Sequence, residues 1–122
     1  MPHRVFLVDD SPLMLELYGE LIEMQADMSL AGTAGSGHEA LETLPQAQAD
    51  VALVDVSMPH MSGLELVERI AKAVPGLPCI LFSAHSGDSY ARRAIEAGAR
   101  GYVEKGDPAA LLAAVRGTLD GV

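Results

Sequence analysis

The chain has 122 residues, enough for one compact domain and too few for two. It is 49% hydrophobic and 20% charged, which excludes a disordered segment, and seventeen acidic against eight basic residues give a formal charge of −9, which argues against direct nucleic-acid binding. The single cysteine, Cys79, excludes an internal disulfide, no apolar run approaches the ~18 residues of a membrane span, and the N-terminal MPHRVFLVDD meets two acids where a secretion signal would still be apolar, so a cytoplasmic location is expected.

In chain order, Val5–Val8 is a predicted strand that runs into Asp9 and Asp10. Ser11 and Pro12 then open a helix: serine can cap it and proline suits its first turn. Over Leu13–Met24 the apolar residues Met14, Leu17, Tyr18, Leu21 and Ile22 recur at helical spacing. Leu30–Ala34 (LAGTA) is the weakest strand, and a helix over Gly37–Leu44 follows it. Val51–Val54 is an unbroken apolar run ending on Asp55, with a proline-bearing loop and a helix over Gly63–Ala73 after it. Cys79–Phe82 leads to Ser83; its cysteine is expected to be a buried structural thiol. A helix over Ser89–Ala97 stops at Gly98. Gly101–Val103 precedes Lys105, and Asp107-Pro108 caps a last helix over Pro108–Leu119.

Five strands alternating with five helices predict one α/β domain over residues 1–122, doubly wound, with a parallel sheet covered on both faces. Continuous apolar runs fit strands buried on both sides. In such a sheet ligands bind outside the carboxyl ends of the strands. Those ends deliver Asp9 and Asp10, then Gly35 and Ser36, then Asp55, then Ser83, and finally Lys105. Three carboxylates in one crevice repel each other, and a hard divalent cation such as Mg²⁺ removes the conflict. A lysine and a hydroxyl complete a set suited to phosphoryl transfer, in which a carboxylate can be the nucleophile. Each residue has a plainer role open to it: Asp10 can cap the first helix in competition with Ser11, Ser83 can cap the next turn, and Lys105 can be a solvated loop charge.

The segments FLVDDS (Phe6–Ser11), VALVDVSMPHMSGLEL (Val51–Leu66), CILFSAH (Cys79–His85) and GARGYVEKG (Gly98–Gly106) together make the chain resemble a response-regulator receiver domain of the CheY-like superfamily over essentially its whole length. The stretch from Ala99 to Gly121 is similar to the NarL-type subgroup, whose receivers usually precede a helix-turn-helix domain; none lies within these 122 residues. The resemblance implies a flavodoxin-like sheet in the order 2-1-3-4-5. It implies that Asp55 is the phosphoacceptor, that Asp10 binds Mg²⁺ directly and Asp9 through water, and that the carbonyl of Ser57 is a further metal ligand. It implies Mg²⁺ as the cofactor, with Mn²⁺ able to take its place. Ser83 would turn toward the phosphoryl group, Lys105 would pair with it, and Tyr102 would swing inward as the switch is thrown. Met58-Pro59 and Gly63 would support the acceptor loop. Ser57 and His85 stand at variable positions and would tune the phosphate's lifetime.

A sensor histidine kinase and an output domain or effector are the implied partners, reached through the face of helix four, strand five and helix five. A homodimer through that face or through helix one is compatible with the family, and no residue singles it out. One departure concerns Lys105, followed by Gly106 where many receivers have proline; a cis peptide is not expected at this non-proline bond, and the loop is expected to differ in shape or mobility. Two other classes compete. An aspartyl-phosphate-type phosphatase wants an acid where Ser57 stands, and a phosphate-independent interaction module with a receiver fold usually lacks some of the pocket acids present here. Flavin binding would want a phosphate loop and stacking aromatics.

Overall fold

The computed structural model describes residues 2–84 and 88–120. The chain alternates strictly: β1 (His3–Val8), α1 (Pro12–Glu23), β2 (Met28–Ala34), α2 (Gly37–Ala47), β3 (Val51–Asp55), α3 (Gly63–Ala73), β4 (Cys79–Ser83), α4 (Asp88–Ala97), β5 (Gly101–Glu104) and α5 (Pro108–Leu119). The five strands form one parallel sheet in the order β2-β1-β3-β4-β5, as expected.

Alternation of side chains along each strand divides the core in two. Phe6, Val8, Ala52, Val54 and Leu81 meet Ala40 and Leu44 of α2, Leu66, Val67 and Ile70 of α3, and Ala94 of α4. Val5, Leu7, Leu53, Ile80, Phe82 and Val103 meet Ile22 of α1 and Leu111 and Val115 of α5 on the other face. Every residue of β3 and β4 is buried, which is why their sequences are continuous apolar runs rather than alternating ones.

Side-chain caps set the helix starts. Ser11 accepts from Met14 N–H at 3.3 Å, Ser36 from Glu39 N–H at 3.1 Å, Ser62 from Glu65 N–H at 3.2 Å and Asp107 from Ala110 N–H at 3.0 Å. Ser11, and not Asp10, therefore caps α1. Three elements, β1, β2 and α2, run at least two residues further than hydropathy foresees. β1 begins at His3 and β2 at Met28, because backbone pairing extends past the apolar run: His3 pairs with Met28 and its N–H donates to Asp27 O at 2.9 Å. The helix α2 continues past Pro45 to Ala47, where the Arg4 guanidinium donates to the carbonyls of Ala47 and Gln48, both at 3.0 Å. Among the described residues no peptide bond is cis and no helix is long and apolar enough to cross a membrane.

Candidate functional site at the carboxyl edge of the sheet

The strand order reverses direction between β1 and β3, and a crevice opens at their carboxyl ends. Val8 pairs with Val54, so the next step along each strand brings Asp9 opposite Asp55. Both are buried, at 1% and 3% exposure, whereas Asp10 is exposed. One carboxylate oxygen from each of Asp9, Asp10 and Asp55 falls within 4.8 Å of the others. Oxygen donors alone, carrying up to three negative charges, suit a hard divalent cation and offer nothing to a soft one.

The loops hold these acids in place. Asp9 N–H donates to Ala34 O at 3.1 Å, and the Asp9 carboxylate accepts from Ser11 N–H at 2.9 Å. Ser57 N–H donates to Asp55 Oδ1 at 3.3 Å. After Asp55 the chain turns sharply: Gly63 N–H donates to Val56 O at 2.9 Å, Met61 N–H to Pro59 O at 2.8 Å, and His60 takes the left-handed conformation with φ 70°. Gly63 lies so close beneath Asp55 that a Cβ there would collide with the Asp55 carbonyl oxygen.

Lys105 enters from the far side. Its N–H donates to Ser83 O at 2.7 Å, and its ammonium lies 3.0 Å from Asp9 Oδ2 and 3.4 Å from Asp55 Oδ1. Burial and the neighbouring charge of Asp9 push the Asp55 carboxyl up to about 6, and Lys105 only partly opposes this. Burial alone would lower Lys105; its hydrogen bond to Asp9 and the charges of Asp55 and Asp9 outweigh that and hold it above the ordinary lysine value.

Ser83 ends β4 fully buried, on the same face of the sheet as Leu81. Tyr102 is half-buried against that same half of the core and lies parallel to Tyr90 of α4, ring centroids 6.5 Å apart and planes at 12°. The Arg93 guanidinium sits 5.7 Å over Tyr90. Of the residues read from sequence, Asp9, Asp10, Asp55 and Lys105 come together directly, with Ser57 and Ser83 bonded at their margins. Tyr102 stands on β5, two strands away from the Asp55 strand β3, and His85 lies outside the described residues. Phe82 beneath the Lys105 ammonium, Tyr18 beside Phe82, and Tyr90 beside Tyr102 carried no local signal; each becomes a neighbour only through the register of β4 and β5 and the packing of α1 and α4.

Comparison with known proteins agrees with this geometry. The family model described as response regulator receiver domain matches residues 5–116. The chain belongs to that family. This receiver is 37% identical over 119 residues to the transcriptional regulatory protein YxjL of Bacillus subtilis, covering 97% of this chain and 55% of the relative. It is also 37% identical over 112 residues to the transcriptional regulatory protein UhpA of Escherichia coli, covering 91% and 56% respectively. The receiver thus spans about half the length of these relatives. Among solved structures it resembles a two-component response regulator of the LuxR family from Aurantimonas sp. SI85-9A1, with a TM-score of 0.93 and 33% identity over 99% of this chain and 87% of that one. Receivers of this kind use Mg²⁺ at an acidic site, and the three carboxylates here are a donor set that fits it.

Proposed function

We propose that this receiver is a phosphorylation-activated switch of a two-component system, with Asp55 as its phosphoacceptor. One observation carries the reading: a buried aspartate at the end of a central strand, within ligand distance of two further acids and 3.4 Å from a lysine ammonium. Asp9, Asp10, Asp55 and the carbonyl of Ser57 would hold Mg²⁺, or Mn²⁺ in its place, with Asp10 a direct ligand and Asp9 reached through water. When bound, the cation supplies charge neutralisation at the transferring phosphoryl group.

The protein's own groups do the rest. An oxygen of Asp55 attacks phosphorus, the bond from phosphorus to the donor's imidazole nitrogen breaks, and the imidazole leaves with the electron pair. Lys105 is free to shift from the Asp55 carboxylate to an equatorial phosphoryl oxygen, keeping a positive charge where negative charge develops. Ser83, buried at the neighbouring strand end, donates its hydroxyl to the phosphoryl group. Ser57 and His85, at variable positions of the family, tune its lifetime. Movement of Ser83 makes room for Tyr102 to turn inward, and this reshapes the face of α4, β5 and α5.

The donor is a sensor histidine kinase or a small acyl phosphate, in the cytoplasm. The effector is an output domain, and the transcriptional regulators among the relatives favour control of transcription. The only reaction assigned to the domain is gain and loss of its own phosphoryl group. Ser57 stands where the phosphatase reading needs an acid, and the intact acid pocket speaks against a phosphate-independent module. Incubation with acetyl phosphate and Mg²⁺ followed by intact-mass measurement tests the assignment. A gain of one phosphoryl group that is absent in Asp55→Asn is expected, and labelling undiminished in that variant would overturn it.

A further inference from the structure

We propose that Tyr18 of α1 is a positioning residue for Lys105, acting through Phe82 and Gly106. The inference rests on the reading of Lys105 as the lysine of the phosphorylation site, and it extends that site to a helix that carries none of its acids. The Lys105 ammonium lies 5.1 Å from the centroid of the Phe82 ring, within cation–π range. Phe82 is 2% exposed, and Tyr18 meets it edge to face, centroids 5.4 Å apart and planes at 76°. The Tyr18 hydroxyl then reaches past Phe82 and accepts a long hydrogen bond, 3.4 Å, from Gly106 N–H.

Lys105 is therefore held on both sides along the backbone. Its own N–H is bonded to Ser83 O, and the next N–H is bonded to Tyr18. Gly106 has φ 93°, and a Cβ placed on it would meet nothing within 4 Å. Glycine is required by the dihedral, not by lack of room. A proline at 106 could neither reach that φ nor supply an N–H. The glycine after the lysine and the tyrosine on α1 thus work as one device: the glycine frees an N–H, and the tyrosine captures it.

Tyr18→Phe keeps the ring against Phe82 and removes only the hydroxyl, while Tyr18→Leu removes both contacts. The full chain is measured in three ways: exchange of the Gly106 amide, the ¹⁵Nζ resonance of Lys105, and the labelling rate with acetyl phosphate across Mg²⁺ concentrations. For Tyr18→Phe we expect faster Gly106 exchange, a shifted Lys105 signal and a maximal labelling rate reduced about threefold, the scale of one net hydrogen bond. The Mg²⁺ half-saturation point should stay at the wild-type value, and the melting temperature should fall by no more than the few degrees one hydrogen bond is worth. Tyr18→Leu should slow labelling further.

Wild-type behaviour of Tyr18→Phe in all three readouts would overturn the proposal. So would slower labelling that merely tracks lost stability, since that is what a packing role alone would do. If the wild-type chain takes no label at Asp55, the reading of the site fails instead, and the Gly106 and Lys105 signals still decide the link to Tyr18.

Discussion

Lys105 Nζ donates to Asp9 Oδ2 at 3.0 Å across 96 positions of sequence, a shorter contact than its 3.4 Å approach to Asp55. The lysine is thus chiefly the counter-ion of Asp9, the buried acid beside Asp55. It leaves Asp55 only partly compensated, so burial and the charge of Asp9 raise that carboxyl to about 6.

Replacing Lys105 by methionine should leave two buried carboxylates facing each other without a cation. Breaking a largely buried ion pair of this kind costs about 2 kcal/mol or more of folding stability at neutral pH. Urea denaturation should show that loss at pH 7.5, and the deficit should shrink at pH 5 or with added Mg²⁺. A deficit that ignored both would mean that the lysine acts only through packing on Phe82.

The pH dependence of stability follows from Asp55. Its folded-state carboxyl lies near 6, above the ordinary 3.8, so between these values the folded chain holds a proton that the unfolded chain has released. The contribution of Asp55 therefore favours folding at low pH, is lost as pH rises from about 4 through about 6, and is fully lost above that. Asp55→Asn should melt higher than wild type at pH 7.5 and should lose the advantage by pH 4. Mg²⁺ competes with the proton, so millimolar Mg²⁺ should raise the wild-type melting temperature more at pH 7.5 than at pH 5. Thermal melts across this grid check both statements.

Gly63→Ala places a methyl against the Asp55 carbonyl and 2.9 Å from Leu81 Cδ2. Neither neighbour can yield, one being backbone at the end of β3 and the other fully buried. A stability loss of at least about 2 kcal/mol is expected, together with slower labelling of Asp55, because the clash displaces Asp55 itself. Denaturation and the labelling assay on the same sample measure both.

Cys79 is 3% exposed, and burial pushes its thiol up to about 12. At pH 8 only about one thiol in ten thousand would be ionised. Iodoacetamide should leave the folded chain unmodified and should alkylate it fully in 8 M urea. Protection should fail in step with unfolding, which makes this cysteine a reporter of global stability.

Most of the fold and the acids of the site were legible from the chain alone, for one physical reason: β-strand and helix periodicities are local, and a parallel α/β sheet must place all its strand ends at one edge. The runs before Asp9, Asp55 and Ser83 therefore placed those residues together before any contact was known. The Ser11-Pro12 and Asp107-Pro108 steps marked helix starts for the same local reason, whereas the caps at Ser36 and Ser62 came from the structure. The weakest strand, LAGTA, began earlier than expected because its pairing with His3 is a backbone matter to which hydropathy is blind. Only the tertiary structure decided that Lys105 bonds first to Asp9, that Phe82 lies beneath it, that Tyr18 reaches Gly106, and that Tyr90 lies beside Tyr102. These are contacts between distant segments, set by strand register and by which helix covers which face, and no local pattern of residues encodes them.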